Sequence, residues 1–140
     1  MLDTNRILEA ANYDFKGKSV LVTGASGGIG FGIIKKLIDS GASVYSNSRR
    51  KIAKVLENHH HYVGDLSQED FIEDWVETLP KIDGVVYSAG ILETMPIRFA
   101  KKEKMMRIWD INYFSAVTLA SLLIKKRKLN SHGAFVFILS

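Results

Sequence analysis

The run from Val20 to Gly30 concentrates more potential chemistry than any other part of the chain. An apolar, β-branched segment ends at Gly24, and three more glycines follow at Gly27, Gly28 and Gly30. Glycine lets a backbone approach a ligand closely and adopt unusual φ values. The start of the following helix aims unpaired N–H groups and the positive end of its dipole outward. Together these features make a seat for a pyrophosphate, to which Ser26 adds a hydroxyl donor. The common dinucleotide fingerprint is Gly-x-Gly-x-x-Gly. Here Gly28 and Gly30 supply the first pair, but Ile33 stands where the third glycine would be. The pattern is instead Thr23-Gly24-x-x-x-Gly28-x-Gly30. A turn that served structure alone would need fewer glycines.

A second site follows about 20 residues past the glycines, where the end of the next strand meets an adenine ribose. That end reads Ser48-Arg49-Arg50. No carboxylate is present to hold a ribose 2′-hydroxyl or repel a 2′-phosphate. A serine hydroxyl and a guanidinium suit a phosphate. The expectation is NADP(H) in preference to NAD(H).

Positioning these residues requires alternating strands and helices. Ser19–Gly24 reads as a buried strand, and Ile29, Ile33, Ile34, Leu37 and Ile38 recur at helical spacing up to a stop at Gly41. A second strand covers 42–48, a short helix 51–58 and a third strand 60–65. Ser67 is the expected cap of the next helix, with Asp70 three residues on. Phe71, Ile72, Trp75, Val76 and Leu79 form that helix's apolar stripe, and Pro80 follows its end. A fourth strand and turn span 83–90. A long helix runs from about 101 to 126. A fifth strand runs from 133 to 139, its continuous apolar run reading as buried on both faces. The alternation means an α/β, doubly wound parallel sheet. Residues 1–16 read as an N-terminal extension and 17–140 as one nucleotide-binding domain.

Composition narrows the classes further. There is no cysteine, hence no disulfide framework and no thiolate metal site. This is compatible with a reducing cytoplasm, the expected location. The N-terminus lacks an apolar signal core, and the stretch 111–124 is too short to span a bilayer, so no membrane role is expected. Net charge is +4. The Lys125–Lys128 cluster sits at a helix end, where cations suit the dipole and solvent. No motif for reading nucleic acid is visible, so no such partner is expected. His59, His60 and His61 are adjacent, and neighbours on a strand face opposite ways, so the three do not converge on one ion. Met105, Met106 and Trp109 lie at helical spacing and read as core or an oligomer face.

Taken together, these motifs resemble the classical short-chain dehydrogenase/reductase family, whose fold is the Rossmann fold. Thr23 to Gly30 fits its Thr-Gly-x-x-x-Gly-x-Gly turn at every fixed position. By this resemblance Gly24, Ser26, Gly27, Gly28, Ile29 and Gly30 bind the cofactor, with Ser48 and Arg49 at the ribose. Asp65 matches the family's aspartate near the adenine ring, and Leu66 supplies a backbone contact. Tyr87-Ser88-Ala89-Gly90 stands where the family has Asn-Asn-Ala-Gly. Ser88, Ala89 and Gly90 are therefore further cofactor contacts, and Ser88 offers a hydroxyl in place of an amide. Asn112 matches the helix asparagine that supports the family's proton relay.

The resemblance implies hydride transfer between a nicotinamide and a carbonyl or alcohol carbon, with a small-molecule substrate and a homo-oligomeric full-length form. The family's tyrosine acts as acid or base, beside a lysine that lowers its pKa. Tyr13, Tyr45, Tyr62, Tyr87 and Tyr113 are followed four residues on by Gly17, Arg49, Leu66, Ile91 and Val117. No Tyr-x-x-x-Lys is present. Ser140 matches the first serine of the family's strand-end pair better than the catalytic second. The expectation is therefore five of the family's seven strands and a chain that is inactive alone. Three alternatives stay open: a non-catalytic NADP(H)-binding module or degenerate remnant, a nucleic-acid binder using the basic clusters, and a Rossmann-like methyltransferase.

Overall fold

The computed structural model describes residues 13–138. Five strands form one sheet: β1 (Ser19–Thr23), β2 (Ser43–Ser48), β3 (His59–Val63), β4 (Ile82–Tyr87) and β5 (Leu129–Phe137). Their order is β3-β2-β1-β4-β5, and every pairing is parallel. Parallel neighbours need crossovers. Helix α1 (Gly28–Asp39) links β1 to β2, and α2 (Glu69–Thr78) links β3 to β4. A composite helix links β4 to β5. It comprises α3 (Lys102–Trp109), a π-helical segment (Asp110–Phe114) and α4 (Ser115–Lys125).

Alternation along β1 builds two cores. Val20 and Val22 join Ala25, Ile34, Ala42 and Val44 on one face of the sheet, under α1. Leu21 joins Ile72, Trp75, Val76, Leu119 and Leu123 on the other, under α2 and α4. Each such side chain contributes roughly 1.5–3 kcal/mol through burial. The chain moves from β1 out to β3, then returns to place β4 on the free side of β1. The order reverses there, and a crevice opens beyond the strand ends.

Several expectations from the sequence change. No helix forms over 51–58. Only Ile52 of that segment packs against a core cluster, while Val55 is exposed and Asn58 adopts φ +58°. An eight-residue helix with so little apolar face to bury does not hold in water. Ser67 does not cap α2. The cap position is Gln68, and no side chain bonds there. The Ser67 Oγ accepts instead from Gln68 Nε2 at 3.3 Å, and the Ser67 N–H donates to Asp65 Oδ1 at 2.9 Å in the turn before the helix. The strand expected at 60–65 is His59–Val63.

The fifth strand starts at Leu129 rather than 133, and it is not buried on both faces: Val136 is 50% exposed and Phe137 46%. It lies at the sheet edge, with β4 as its one neighbour among the described residues. Met105, Met106 and Trp109 are exposed and are not core. Of the N-terminal extension, residues 1–12 lie outside the described residues, as does Ser140. Phe15 packs against the α1-side core, and its N–H donates to the Ser40 carbonyl at 2.8 Å.

The basic cluster after α4 caps a neighbouring helix. Lys128 Nζ donates to the Leu79 carbonyl at 2.6 Å and to that of Glu77 at 2.9 Å. Lys126 pairs with Glu73 at 3.0 Å and with Glu77. Cations thus meet the negative end of α2.

An edge strand with exposed apolar side chains is a template for further pairing. The 140-residue chain is expected to self-associate as its concentration rises in light scattering, and Val136→Lys to suppress this. A monodisperse monomer at every concentration would count against the free edge.

Candidate cofactor site

The turn after β1 is shaped by contact with the end of β4. Gly24 has φ +72°, and a Cβ there would lie 2.7 Å from the Ser88 carbonyl oxygen and 2.9 Å from the Ala89 nitrogen. Thr23 Oγ1 accepts from the Ser88 and Ala89 N–H groups, each at 3.0 Å. A Cβ at Gly30 would lie 2.2 Å from the Gly24 carbonyl oxygen. The first turn of α1 therefore packs directly on the loop that precedes it. Gly28 differs, since nothing lies within 4 Å of its notional Cβ. Helix α1 begins there without a side-chain cap and without an acid in its first turn. Its free N–H groups and positive dipole end face an open, glycine-paved surface, which suits an anion.

The groove beside this turn gathers the residues singled out from the sequence. Gly24, Ser26, Gly27, Ser48, Arg49, Asp65, Leu66, Ser88, Ala89 and Gly90 line one cavity. Gly28, Ile29 and Gly30 line a second, which shares Gly24, Gly27, Ser88 and Gly90 with the first. Asn112 lines neither. It stands one layer behind, where Oδ1 accepts from the Ile91 N–H at 2.8 Å and Nδ2 donates to the Ile91 carbonyl at 2.9 Å. Ile91 lines both cavities, so Asn112 shapes the wall through that residue's backbone.

The π-helical segment explains how Asn112 gets there. An extra residue in a helical turn re-aims its neighbours, and such bulges cluster at functional sites. The Tyr87 hydroxyl donates to the Ile111 carbonyl at 2.6 Å. Burial pushes this phenol up to about 12, so it stays protonated and keeps donating. Tyr87 thus ties the end of β4 to the composite helix. Ser88 contributes its backbone N–H to the strand-end junction.

Asn47, Gly64, Ile91 and Ile111 line the groove but were not singled out from the sequence; Thr23, named there as part of the motif, serves as a structural clamp. Asn47 Nδ2 donates to the carbonyls of Tyr62 at 3.3 Å and Gly64 at 3.1 Å, holding the ends of β2 and β3 together. Asn47 is 2% exposed among the serines of β2, and a buried amide needs partners. Ile91 and Ile111 carry no signal of their own, because they act through position.

The end of the groove beside β2 holds a chain of polar groups. Ser48 is buried, and its Oγ donates to the Arg50 carbonyl at 2.5 Å. His61 Nε2 lies 3.1 Å from Ser48 Oγ and 3.3 Å from that carbonyl. On its other side, His61 Nδ1 lies 2.8 Å from Ser46 Oγ, which is 2.7 Å from His59 Nε2. His60 stacks on Tyr45, ring centroids 4.8 Å apart, as strand alternation requires. Burial lowers the pKa of His59, and the charges of His61 and His60 lower it further.

The comparisons with known proteins agree with this geometry. Residues 18–140 match the short chain dehydrogenase family. A Rickettsia bellii protein, 3-oxoacyl-(acyl-carrier-protein) reductase FabG, is 34% identical over 134 residues, covering 91% of this chain and 55% of its own. The Saccharomyces cerevisiae benzil reductase ((S)-benzoin forming) IRC24 is 30% identical, covering 89% and 54%. A short-chain type dehydrogenase/reductase from Mycobacterium ulcerans superposes with a TM-score of 0.81 at 26% identity, over 91% of this chain and 53% of that one. The chain spans about half the length of the curated relatives it matches. It belongs to the short chain dehydrogenase family.

Two outcomes follow from the site's packing. Gly30→Ala forces a methyl into the Gly24 carbonyl and should cost about 1–3 kcal/mol, the usual range for overpacking. Gly28→Ala should leave the thermal midpoint nearly unchanged. Equal midpoints for the two variants would contradict the close approach of helix and loop at Gly30.

The second concerns pH. A folded-state pKa below the ordinary 6.5 means that His59 binds its proton less readily folded than unfolded. Stability is therefore full above about pH 6.5 and falls as the pH drops through the unfolded value towards the folded one. Urea midpoints should decline from pH 7.5 to 5.5, and His59→Gln should shrink that decline. An unchanged slope in the variant would assign the effect elsewhere.

Proposed function

We propose that this member of the short chain dehydrogenase family is the cofactor-binding part of an NADP(H)-dependent oxidoreductase. Its substrate class is a carbonyl or alcohol: a 3-oxoacyl compound, a sugar or another ketone. One observation carries the cofactor reading. The uncapped start of α1 faces open space at Gly28, in a groove whose far end has Arg49 and no carboxylate at Ser48.

The residues present fit a dinucleotide. Gly24 to Gly30 would hold the pyrophosphate, Arg49 a 2′-phosphate, and Asp65 and Leu66 the adenine. Ser88 to Gly90, backed by Thr23, form the wall nearest the nicotinamide half. When bound, the cofactor supplies or accepts the hydride. This chain's residues bind and orient it. Asn112 holds the Ile91 backbone and so fixes the shape of the groove. Among these 140 residues no tyrosine is followed four positions on by a lysine, so the chain alone is read as binding without turnover. A cytoplasmic location is part of the same proposal. The exposed Met105, Met106 and Trp109 are read as part of an oligomer face in the full-length form. The non-catalytic binding module remains the second reading, because it predicts the same groove and the same missing pair.

Calorimetric titration separates these claims. NADPH should bind at least about tenfold more tightly than NADH, as one charge-assisted contact allows. Arg49→Ala should remove most of that margin while leaving NADH unchanged. Equal affinities in the parent chain would end the NADP(H) assignment. Ketone reduction by the 140-residue chain at rates typical of the family would end the claim that it only binds.

A further inference from the structure

We propose that His61 is a positioning residue that sets the preference for a 2′-phosphate over a 2′-hydroxyl. It does so by using up the hydrogen-bond acceptors at the ribose end of the groove. The inference rests on the cofactor reading above and concerns a residue that does not line the groove itself.

Each proton in the chain of polar groups has a determined place. A carbonyl only accepts, so the 2.5 Å contact places the Ser48 hydroxyl proton on the bond to Arg50. With that proton spent, Ser48 Oγ can only accept from His61 Nε2, which must carry a hydrogen. That hydrogen is shared with the Arg50 carbonyl at 3.3 Å. A neutral His61 then has a bare Nδ1, which accepts the Ser46 hydroxyl proton. Ser46 Oγ in turn accepts from His59 Nε2. His59 Nδ1 is left bare, buried and without a partner among the described residues. Every donor thus points one way, from His59 through Ser46 and His61 to Ser48 and the Arg50 carbonyl.

This direction has a consequence for the ligand. A ribose 2′-hydroxyl is held best by a strong acceptor, whereas a 2′-phosphate offers only acceptors and needs donors. Two acceptors stand together here: Ser48 Oγ, which lines the groove, and the Arg50 carbonyl 2.5 Å from it. Both already receive hydrogens from the chain. What remains is the Arg49 guanidinium, a donor that lines the groove. His61 keeps the ribose end donor-rich although it lies 13 residues from Ser48 in sequence.

The test measures NADPH and NADH affinities of the full chain by calorimetry. His61→Phe removes both ring nitrogens and frees Ser48 Oγ to accept, while the Arg50 carbonyl keeps the Ser48 hydroxyl. It should lower the NADPH-to-NADH affinity ratio by about fivefold, the size of one net hydrogen bond. His61→Gln keeps an N–H donor on a side chain of similar reach and should restore most of the ratio. Should His61→Phe fail to fold, Ser46→Ala tests the same link. It strips the proton that His61 Nδ1 accepts and should lower the ratio in the same direction. A parallel fall in both affinities, or an unchanged ratio in the folded variants, overturns the role of His61 and leaves the cofactor reading standing. Failure of the parent chain to bind either dinucleotide overturns the cofactor reading and this inference with it.

Discussion

The contact between Gly24 and the end of β4 is the constraint on which the site depends. The sheet order reverses at β1, so the ends of two strands far apart in sequence must meet. A side chain at position 24 would collide with the Ser88 carbonyl. Without one, Thr23 can take both following N–H groups of the β4 turn. That junction decides where Ser88, Ala89 and Gly90 stand relative to the start of α1. Gly30 repeats the device one turn later by letting the helix press on the Gly24 carbonyl. The glycines therefore divide into two kinds. Gly24 and Gly30 let the protein touch itself, whereas Gly28 leaves room for something else.

The opposite wall depends on a different device. The composite helix is interrupted at Asp110–Phe114, where Tyr87 and Asn112 bond the backbone of Ile111 and Ile91. Ile91 and Ile111 line the groove, but their side chains do not hold them there. Two polar residues behind the wall do so, and both bond main-chain atoms. The Tyr87 bond is partly buried, whereas the Asn112 pair lies at the exposed surface. Tyr87 occupies a place that the resemblance gives to an asparagine. Its longer reach lets it brace the helix itself.

Much of this was legible from the sequence because strand and helix periods differ and because the glycine spacing is specific. All five strands and the α1 and α2 helices fall close to their expected places. The misses turn on packing and local turn geometry rather than on residue type. The segment 51–58 has helical composition but little surface to pack on. Ser67 had the right type for a cap, yet the helix starts one residue later, with Gln68 at the cap position. Ala134 to Phe137 had the composition of a central strand, yet it lies at the edge of the described sheet. The groove-lining glycines were legible because the turn that carries them is local in sequence. Asn47 was missed as a site residue because its partners lie 15 or more positions away.

Ser48 shows how far such non-locality reaches. From the sequence it is a hydroxyl beside two arginines, free to donate to an anion. In the fold its only proton is committed inward, so the residue contributes by what it withholds. The direction of that bond cannot be read from Ser48, Arg49 and Arg50 alone. It follows from the neighbouring strand, where register places His61 opposite Ser46 and alternation puts His59 on the same side. The polar chain at this end of the groove is thus built by two adjacent strands. A parallel pairing shifted by one residue would bring His60 to that face and leave Ser48 and the Arg50 carbonyl without the ring that occupies them.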